Sequence, residues 1–422
     1  MRALKCLTQP FQNDSLVGLL RDCLALTYNA MNYGEEMHIT NRKGMKMFYQ
    51  SLRTVGLPSC YKAGVITRAC AILKSREKSK KRGVETFHPR PIRPMVCIIS
   101  GFFVTAMGRL FIPLKRDKYV DVQLNHHVLE TLQGKELRSL TITSVSLSIC
   151  YSEEIESMPI KTVYGVDRNE KNLTFGNTDG VVQIGMSKAV KIRQTTREIV
   201  GSFKRNDTRL RKKIASKYWK RASHRTDQML HAATNLIVDN AAKNGAAITL
   251  EDLKDIRKMF QKANRQGTDY RFRLNTWPYG KAGRMLEYKS AWKGVTTIQL
   301  TKSETRGSSS VHHACGEKLH KPEKGDALHR RMLWCQACRV WMDRDVNAAI
   351  VLSKRGLARF ASSLPRPEGR SQRTIAGEEG PAGEAMKGNP METAILRVDA
   401  SKLGLVRSRV PDRTLPSCGL HC

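Results

Sequence analysis

The chain has 422 residues, 40% of them hydrophobic, with 73 Lys and Arg against 38 Asp and Glu, a formal charge of +35. That length exceeds one ordinary core and predicts two to four domains. The charge makes a compact body repel itself unless a polyanion neutralises it, so nucleic acid is the first candidate partner and an acidic membrane surface the second. No apolar run reaches the roughly 18 residues of a membrane span. "MRALKCLTQPFQND" has no signal-peptide core, so the basic surface is expected to meet its partner inside the cell.

In chain order, residues 1–8 read as a short strand. Helical apolar spacing follows at 14–32, and "YQSLRTVGLPSCYKAGVITRACAILKS" (49–75) suggests two more helices. The last runs into the basic stretch 74–83, where Lys78, Lys80 and Lys81 suit either a solvated helix end or phosphate contact. "HPRPIRP" (88–94) is a rigid break. From 95 to 151, β-branched and aromatic runs separated by turns predict a small antiparallel barrel or sandwich, so a helical insertion divides its first strand from the rest. Residues 152–161 serve as a linker.

From 162, "TVYGVDRNEKNLTFGNTDGVVQIG" reads as three strands. Residues 187–226 form a helical pair with 14 Lys and Arg opposed only by Glu198 and Asp207. Of these, Arg205, Arg209, Arg211, Lys212, Lys213, Lys217, Lys220 and Arg221 are expected to face nucleic acid, with a solvated helix pair as the alternative. Tyr218 and Trp219 can add base stacking or fill core. An amphipathic helix at 231–245 closes on Asn-Gly, and "AAITL" (246–250) is a short buried strand. A helix at 277–294, a strand at 295–300, a Cys- and His-bearing segment and a helix from 345 complete the pattern. Beyond 362 the composition predicts a largely disordered tail.

This order places Asp167 at the end of the first strand of the second domain, Glu251 at the end of the fourth, and Asp345 at the start of the last helix. Sites in open α/β sheets form beyond the carboxyl ends of strands. Clustered carboxylates repel unless one takes a proton or cations arrive. Hard divalent ions such as Mg²⁺ resolve that conflict, and two ions about 4 Å apart support phosphodiester cleavage. Taken singly, Asp167 also suits a turn before Asn169. Glu251 and Asp345 also suit helix N-terminal positions, with Asp343 a solvated neighbour.

His312-x2-Cys315-x19-Cys335-x2-Cys338 has the spacing of a two-knuckle zinc ribbon, with His313 competing for the first place. Of the other cysteines, Cys6, Cys23, Cys60, Cys70, Cys97 and Cys150 lack ligand spacing and read as buried or free thiols. One metal site in a reducing compartment fits better than a disulfide framework.

Together "YGVDRNEKNLTFG", "ITLEDLKDIRK", "LNTWPYGKAGRMLEYKSAWKG" and "CQACRVWMDRDVNAAI" resemble the three RuvC motifs and zinc ribbon of the transposon-encoded TnpB nucleases, compact relatives of the CRISPR type V effectors. The resemblance covers about 1–360, is most specific from 162 to 355, and is closest to archaeal members. It implies a multidomain α+β fold: a β-rich wedge domain (1–9 and 89–158), a helical recognition insertion (10–88), an RNase H-like RuvC α/β domain (162–302 and 340–361), an inserted zinc-ribbon target-loading segment (303–339), and a disordered tail (362–422). By motif, Asp167, Glu251 and Asp345 are then the catalytic acids and hold two Mg²⁺ ions, while His312, Cys315, Cys335 and Cys338 hold structural Zn²⁺. The implied partners are a guide RNA with a structured scaffold and double-stranded target DNA, cut next to a short adjacent motif, in the cytoplasm or nucleoid of a prokaryote. Base pairing then carries sequence choice. The first knuckle departs from the family's Cys-x-x-Cys by having His312. A miniature CRISPR type V effector, a cleavage-deficient guided DNA-binding regulator and a transposase are the alternatives.

Overall fold

The opening strand, Arg2–Pro10 (β1), is separated from the rest of its sheet by three helices: Asp14–Glu36 (α1), Lys46–Ser51 (α2) and Ser59–Lys80 (α3). The computed structural model describes residues 2–81, 83–115, 117–203, 206–253, 256–260, 264–323, 326, 331–363 and 394–403. They fall into two compact units, one of Arg2–Glu154 and one running on from Ile155.

In the first unit, α1 buries Leu16, Leu19, Leu20, Cys23, Thr27, Ala30, Met31 and Gly34, the i, i+3, i+4, i+7 spacing of a single apolar face. After α3 come Met95–Ile98 (β2), Phe103–Val104 (β3), Arg109–Lys115 (β4) and Lys118–Gln123 (β5). Then follow His126–Leu132 (α4), Glu136–Thr143 (β6) and Ser146–Glu154 (β7). The strands make two antiparallel sheets, β1-β7-β6-β2 and β3-β4-β5, rather than a closed ring. β1 pairs with β7 along its length, Cys6 opposite Cys150. One core joins sheets and helices, with Tyr61, Val65, Ile98, Ile112, Leu140 and Ile149 among its buried members. Helix α4 was not foreseen: Asn125 caps it by accepting from the Val128 amide at 2.9 Å, a turn-like signal inside a β-rich stretch.

The second unit begins with Thr162–Arg168 (β8), Asn172–Gly176 (β9) and Gly180–Gly185 (β10), then Ser187–Gly201 (α5). A π-turn at Leu210–Ile214 leads into Ala215–Asn244 (α6). The two segments expected at 187–226 and 231–245 are thus divided elsewhere: Ala222, Thr226, Met229, Leu230 and Ala233 continue one buried stripe through the supposed break. Gly245 ends α6 with φ 60°, ψ 36°, the left-handed cap that Gly adopts without strain.

Ala246–Leu250 (β11) is buried at every position, as an interior strand covered on both faces must be. Thr268–Thr276 (α7), Tyr279–Trp292 (α8), Thr297–Gln299 (β12) and Lys302–Thr305 (α9) follow. Next come Met332–Cys335 (β13) and Val340–Asp343 (β14), which form a hairpin, and Arg344–Ser363 (α10). The main sheet has the order β12-β11-β8-β9-β10, extended by a sixth strand, Ala394–Asp399 (β15). β8, β9 and β10 are antiparallel neighbours, whereas β11 runs parallel to β8 and β12 parallel to β11.

Strand β15 is an ordered element within the tail expected to be largely disordered. It pairs parallel with β10, Gly180 opposite Ala394 through Gly185 opposite Asp399, and Ala400 behind it is buried in the core. The short apolar run "AILRV" completes an open sheet edge that composition averaged over sixty residues conceals. The remainder of the tail lies outside the described residues.

Candidate functional site

Three carboxylates line one cavity of about 990 Å³. Asp167 is the penultimate residue of β8, and Glu251 directly follows β11, its parallel neighbour in the sheet. The pairing of Leu250 with Val166 therefore carries both acids out at the same strand ends. Asp345 arrives from the other direction, at the second position of α10, and is 2% exposed.

Asparagines fix the acids. Asn169 Nδ2 donates to Asp167 Oδ2 at 2.6 Å and to Asp345 Oδ1 at 2.9 Å, and Asn172 Nδ2 donates to Asp345 Oδ2 at 2.9 Å. Asn169 lies in the β8–β9 connection and Asn172 opens β9, both within the stretch "RNEKN" that reads in the sequence only as a turn. Arg331, at the foot of β13 and about half exposed, forms an ion pair with Asp345. Arg168, buried, donates to the Glu251 backbone carbonyl.

Asp343 has a different task from its neighbour. Its Oδ1 accepts from the amides of Asp345 at 2.9 Å and Val346 at 3.2 Å, and from Gln183 Nε2 at 3.1 Å. It therefore caps α10, which releases Asp345 from the capping role open to it in the sequence.

The charges are unbalanced in the way such a cluster predicts. Enclosure, and then the charges of Glu251 and Asp345, push the Asp167 carboxyl well above the usual carboxylate range. Burial also raises Glu251, against the pull of the Arg168 guanidinium. The donor set is all oxygen, with Asn172 Oδ1 buried and without a hydrogen-bond partner beside the acids. Such ligands suit Mg²⁺ rather than a soft ion.

A second cluster lies next to it. Among the described residues, His312, Cys315, Cys335 and Cys338 form the one group of His, Cys, Asp or Glu whose ligand atoms all lie within 4.8 Å of one another. The three acids do not form a second such group. His312 Nδ1 is 3.3 Å from Cys315 Sγ, Cys315 Sγ is 3.5 Å from Cys335 Sγ, and His312 Nε2 is buried without a partner. The Glu317 backbone amide draws the Cys315 thiol down, while a hydrogen bond to Cys315 pushes Cys338 up to about 12. Three thiols and an imidazole packed this closely form a tetrahedral N/S ligand set, so this group can hold zinc. His313 turns elsewhere, its Nδ1 toward Met342 Sδ and Asn347 Oδ1.

Asn347 joins the two clusters. Fully buried on α10, it accepts from the His313 amide at 2.9 Å and donates to the Val311 carbonyl at 2.7 Å. The knuckle is thereby tied to the helix that carries Asp345.

Of the expected nucleic-acid contacts, Arg209, Lys213, Lys217, Lys220 and Arg221 are exposed near the start of α6, and Tyr218 is 39% exposed beside them. Lys78 and Lys80 are exposed, and Lys81 pairs with Glu77 at 2.6 Å. Arg205 and the side chains of Arg211 and Lys212 lie outside the described residues.

Comparison with known proteins gives a consistent set. Residues 279–352 match the Cas12f1-like TNB domain family. The chain is 27% identical over 229 residues to a TnpB-like protein of Methanocaldococcus jannaschii, covering 52% of this chain and 78% of the relative. It is 28% identical over 134 residues to the CRISPR-associated endodeoxyribonuclease Cas12f2 of a Micrarchaeota archaeon, covering 31% of this chain but only 24% of that one. The fold resembles the protein in the cryo-EM structure of a Cas12f1–sgRNA–target DNA complex, with a TM-score of 0.53, 11% identity, and 80% and 82% of the two chains covered. At that identity the likeness is one of fold. Among the described residues, no helix is long and apolar enough to cross a membrane.

Proposed function

We propose, from the premise that the chain belongs to the family of TnpB-like proteins and miniature type V effectors, that it is an RNA-guided, divalent-metal-dependent DNA endonuclease encoded by a transposon. In this reading the first unit contains the wedge domain and its helical recognition insertion. The second is the RuvC-like nuclease with a zinc-bearing target-loading segment. The partners are a guide RNA with its scaffold and double-stranded DNA cut beside a short motif.

The observation that carries the reading is the shared Asn169 amide. It holds carboxylates from two distant parts of the sequence together, in a cavity that Glu251 also lines. Asp167, Glu251 and Asp345 would hold Mg²⁺, which when bound supplies an activated water and charge neutralisation at the leaving oxygen. The chain's own part is positioning. Asn169 and Asn172 fix the Asp345 carboxylate, Asp343 fixes the first turn beneath it, and Arg168 restrains the backbone at Glu251. Arg331 must release Asp345 before that carboxylate can serve as a ligand. His312, Cys315, Cys335 and Cys338 would hold Zn²⁺ and stiffen the hairpin from which Arg331 and α10 depart.

The test is to purify the protein with the RNA that copurifies from its native locus, sequence that RNA, and challenge the complex with matching duplex DNA and Mg²⁺. Cleavage that Asp345→Ala abolishes while guided binding persists supports the reading. Guided binding without cleavage by the parent protein would leave a regulator instead.

A further inference from the structure

The outer sheet of the first unit has no part in this chemistry. On β3, β4 and β5, Leu110, Ile112, Val120 and Val122 point into the core, and Phe103, Phe111 and Tyr119 lie on the opposite face. Phe103 stacks on Phe111 with ring centroids 5.0 Å apart and planes 11° apart. Tyr119 stands across both, 5.6 and 6.4 Å away at 67° and 76°. Cross-strand aromatic pairs do stabilise sheets. Yet Phe103 and Tyr119 are each 47% exposed, which forfeits much of the hydrophobic gain that a purely structural cluster would collect.

The rim is cationic. Lys115 and Lys118 pair across the strand ends next to Tyr119, and both are exposed. At the other end, Arg109 is half exposed and neutralises Asp121 beside Phe111. Residues 2–154 as a whole carry 23 Lys and Arg against 12 Asp and Glu. Lysine is depleted at protein–protein interfaces, whereas exposed aromatics on a sheet edged by basic residues are the form in which single-stranded nucleic acid is bound.

We propose that this face is a stacking platform for unpaired RNA bases, with Phe103 and Tyr119 taking the bases and Lys115 and Lys118 the backbone phosphates. The choice of RNA over DNA rests on the guide-RNA reading above; the platform itself does not.

The test uses the full-length protein and a fluorescein-labelled oligouridine about a dozen nucleotides long, titrated by anisotropy across a salt series. Phe103→Ala combined with Tyr119→Ala should weaken binding about tenfold or more at every salt concentration with the slope unchanged. Lys115→Gln with Lys118→Gln should instead flatten the slope by about one or two. Phe103→Trp should restore affinity. A 5-iodouridine version of the RNA, irradiated with the parent protein, should leave its adduct on the peptide carrying Phe103 or Tyr119, which decides the matter even if the double variant misfolds. Undiminished binding by a folded double variant, adducts confined to other peptides, or tighter binding of oligothymidine DNA through the same rings would each overturn the proposal. None of these readouts requires cutting, so the platform can stand where the nuclease reading falls, and the reverse.

Discussion

Asp167 and Asp345, separated by most of the second unit's sequence, accept hydrogen bonds from the same nitrogen, Asn169 Nδ2, at 2.6 and 2.9 Å. An amide in that place brings two mutually repelling carboxylates together without adding a charge of its own. Asn169→Ala should therefore leave the protein folded but lower Mg²⁺-dependent cleavage about 10- to 100-fold, the usual scale for loss of a group that orients metal ligands. Cleavage rates across a Mg²⁺ titration check this: the deficit should shrink as the ion is raised. A deficit independent of Mg²⁺ would assign Asn169 some other task.

Arg331 occupies Asp345 where a cation is expected to sit. Metal and guanidinium are then competitors for one buried carboxylate. Arg331→Ala should lower the Mn²⁺ or Mg²⁺ concentration needed for half-saturation several-fold in calorimetry without DNA. It should also cost the metal-free protein about 1 kcal/mol, since Arg331 is itself half exposed and its side of the pair is screened. An unchanged or higher midpoint would show that the pair is incidental to metal entry.

Asp167 supplies the pH prediction. Its carboxyl is raised by enclosure and by the neighbouring acids, so ionising it costs the folded state more than the unfolded one. The protonated form carries no such penalty. Stability of the metal-free protein should fall as pH rises from the unfolded value of about 3.9 through the raised folded value, and stay depressed above it. Asp167→Asn should thus melt at the parental temperature in acid and above it near neutrality, with Mg²⁺ narrowing the gap by stabilising only the parent. A variant less stable than the parent at neutral pH in chelator would refute the account.

The parts legible in the sequence are those where one residue's chemistry decides. The exits of β8 and β11 followed from buried runs ending in an acid, and the His/Cys group that could hold zinc from its spacing. The choice between His312 and His313 needed geometry, because only the fold shows that His313 faces Asn347 and Met342. Asn169, Asn172 and Arg331 were passed over because a polar residue in a connection looks the same in sequence whether it meets solvent or an acid. The unity of α6 was missed because the basic, exposed stretch through Lys220 and Arg221 disguised the buried stripe behind it.

Asn347 and Cys335 separate two ways of damaging the knuckle. Cys335 is fully buried among the zinc-type ligands, so Cys335→Ser should lose zinc, by metal analysis, and lose stability and cleavage with it. Asn347→Ala should retain zinc and lose about tenfold in cleavage, because only the tie between knuckle and α10 is cut. Cysteine variants with unchanged zinc and unchanged cutting would end the idea that the knuckle braces Asp345.

The register of α10 on the sheet is set by two glycines, and this gives the sharpest test of site geometry. A Cβ on Gly165 of β8 would fall 2.8 Å from Leu352 Cβ and closer still to the Ala349 carbonyl oxygen, and one on Gly356 would fall 2.8 Å from Thr249 Cβ of β11. Backbone atoms of a buried helix cannot yield as a flexible side chain can. Gly165→Ala must therefore lift α10 from β8, just two residues before Asp167 on the strand that faces it. About 1–3 kcal/mol of destabilisation is expected from overpacking of this kind. Because α10 carries Asp345, cleavage should fall further than the lost folded fraction explains, even at saturating Mg²⁺ and below the melting range. Full activity in a destabilised Gly165→Ala protein would mean that Asp345 reaches its working position independently of how closely α10 lies on β8.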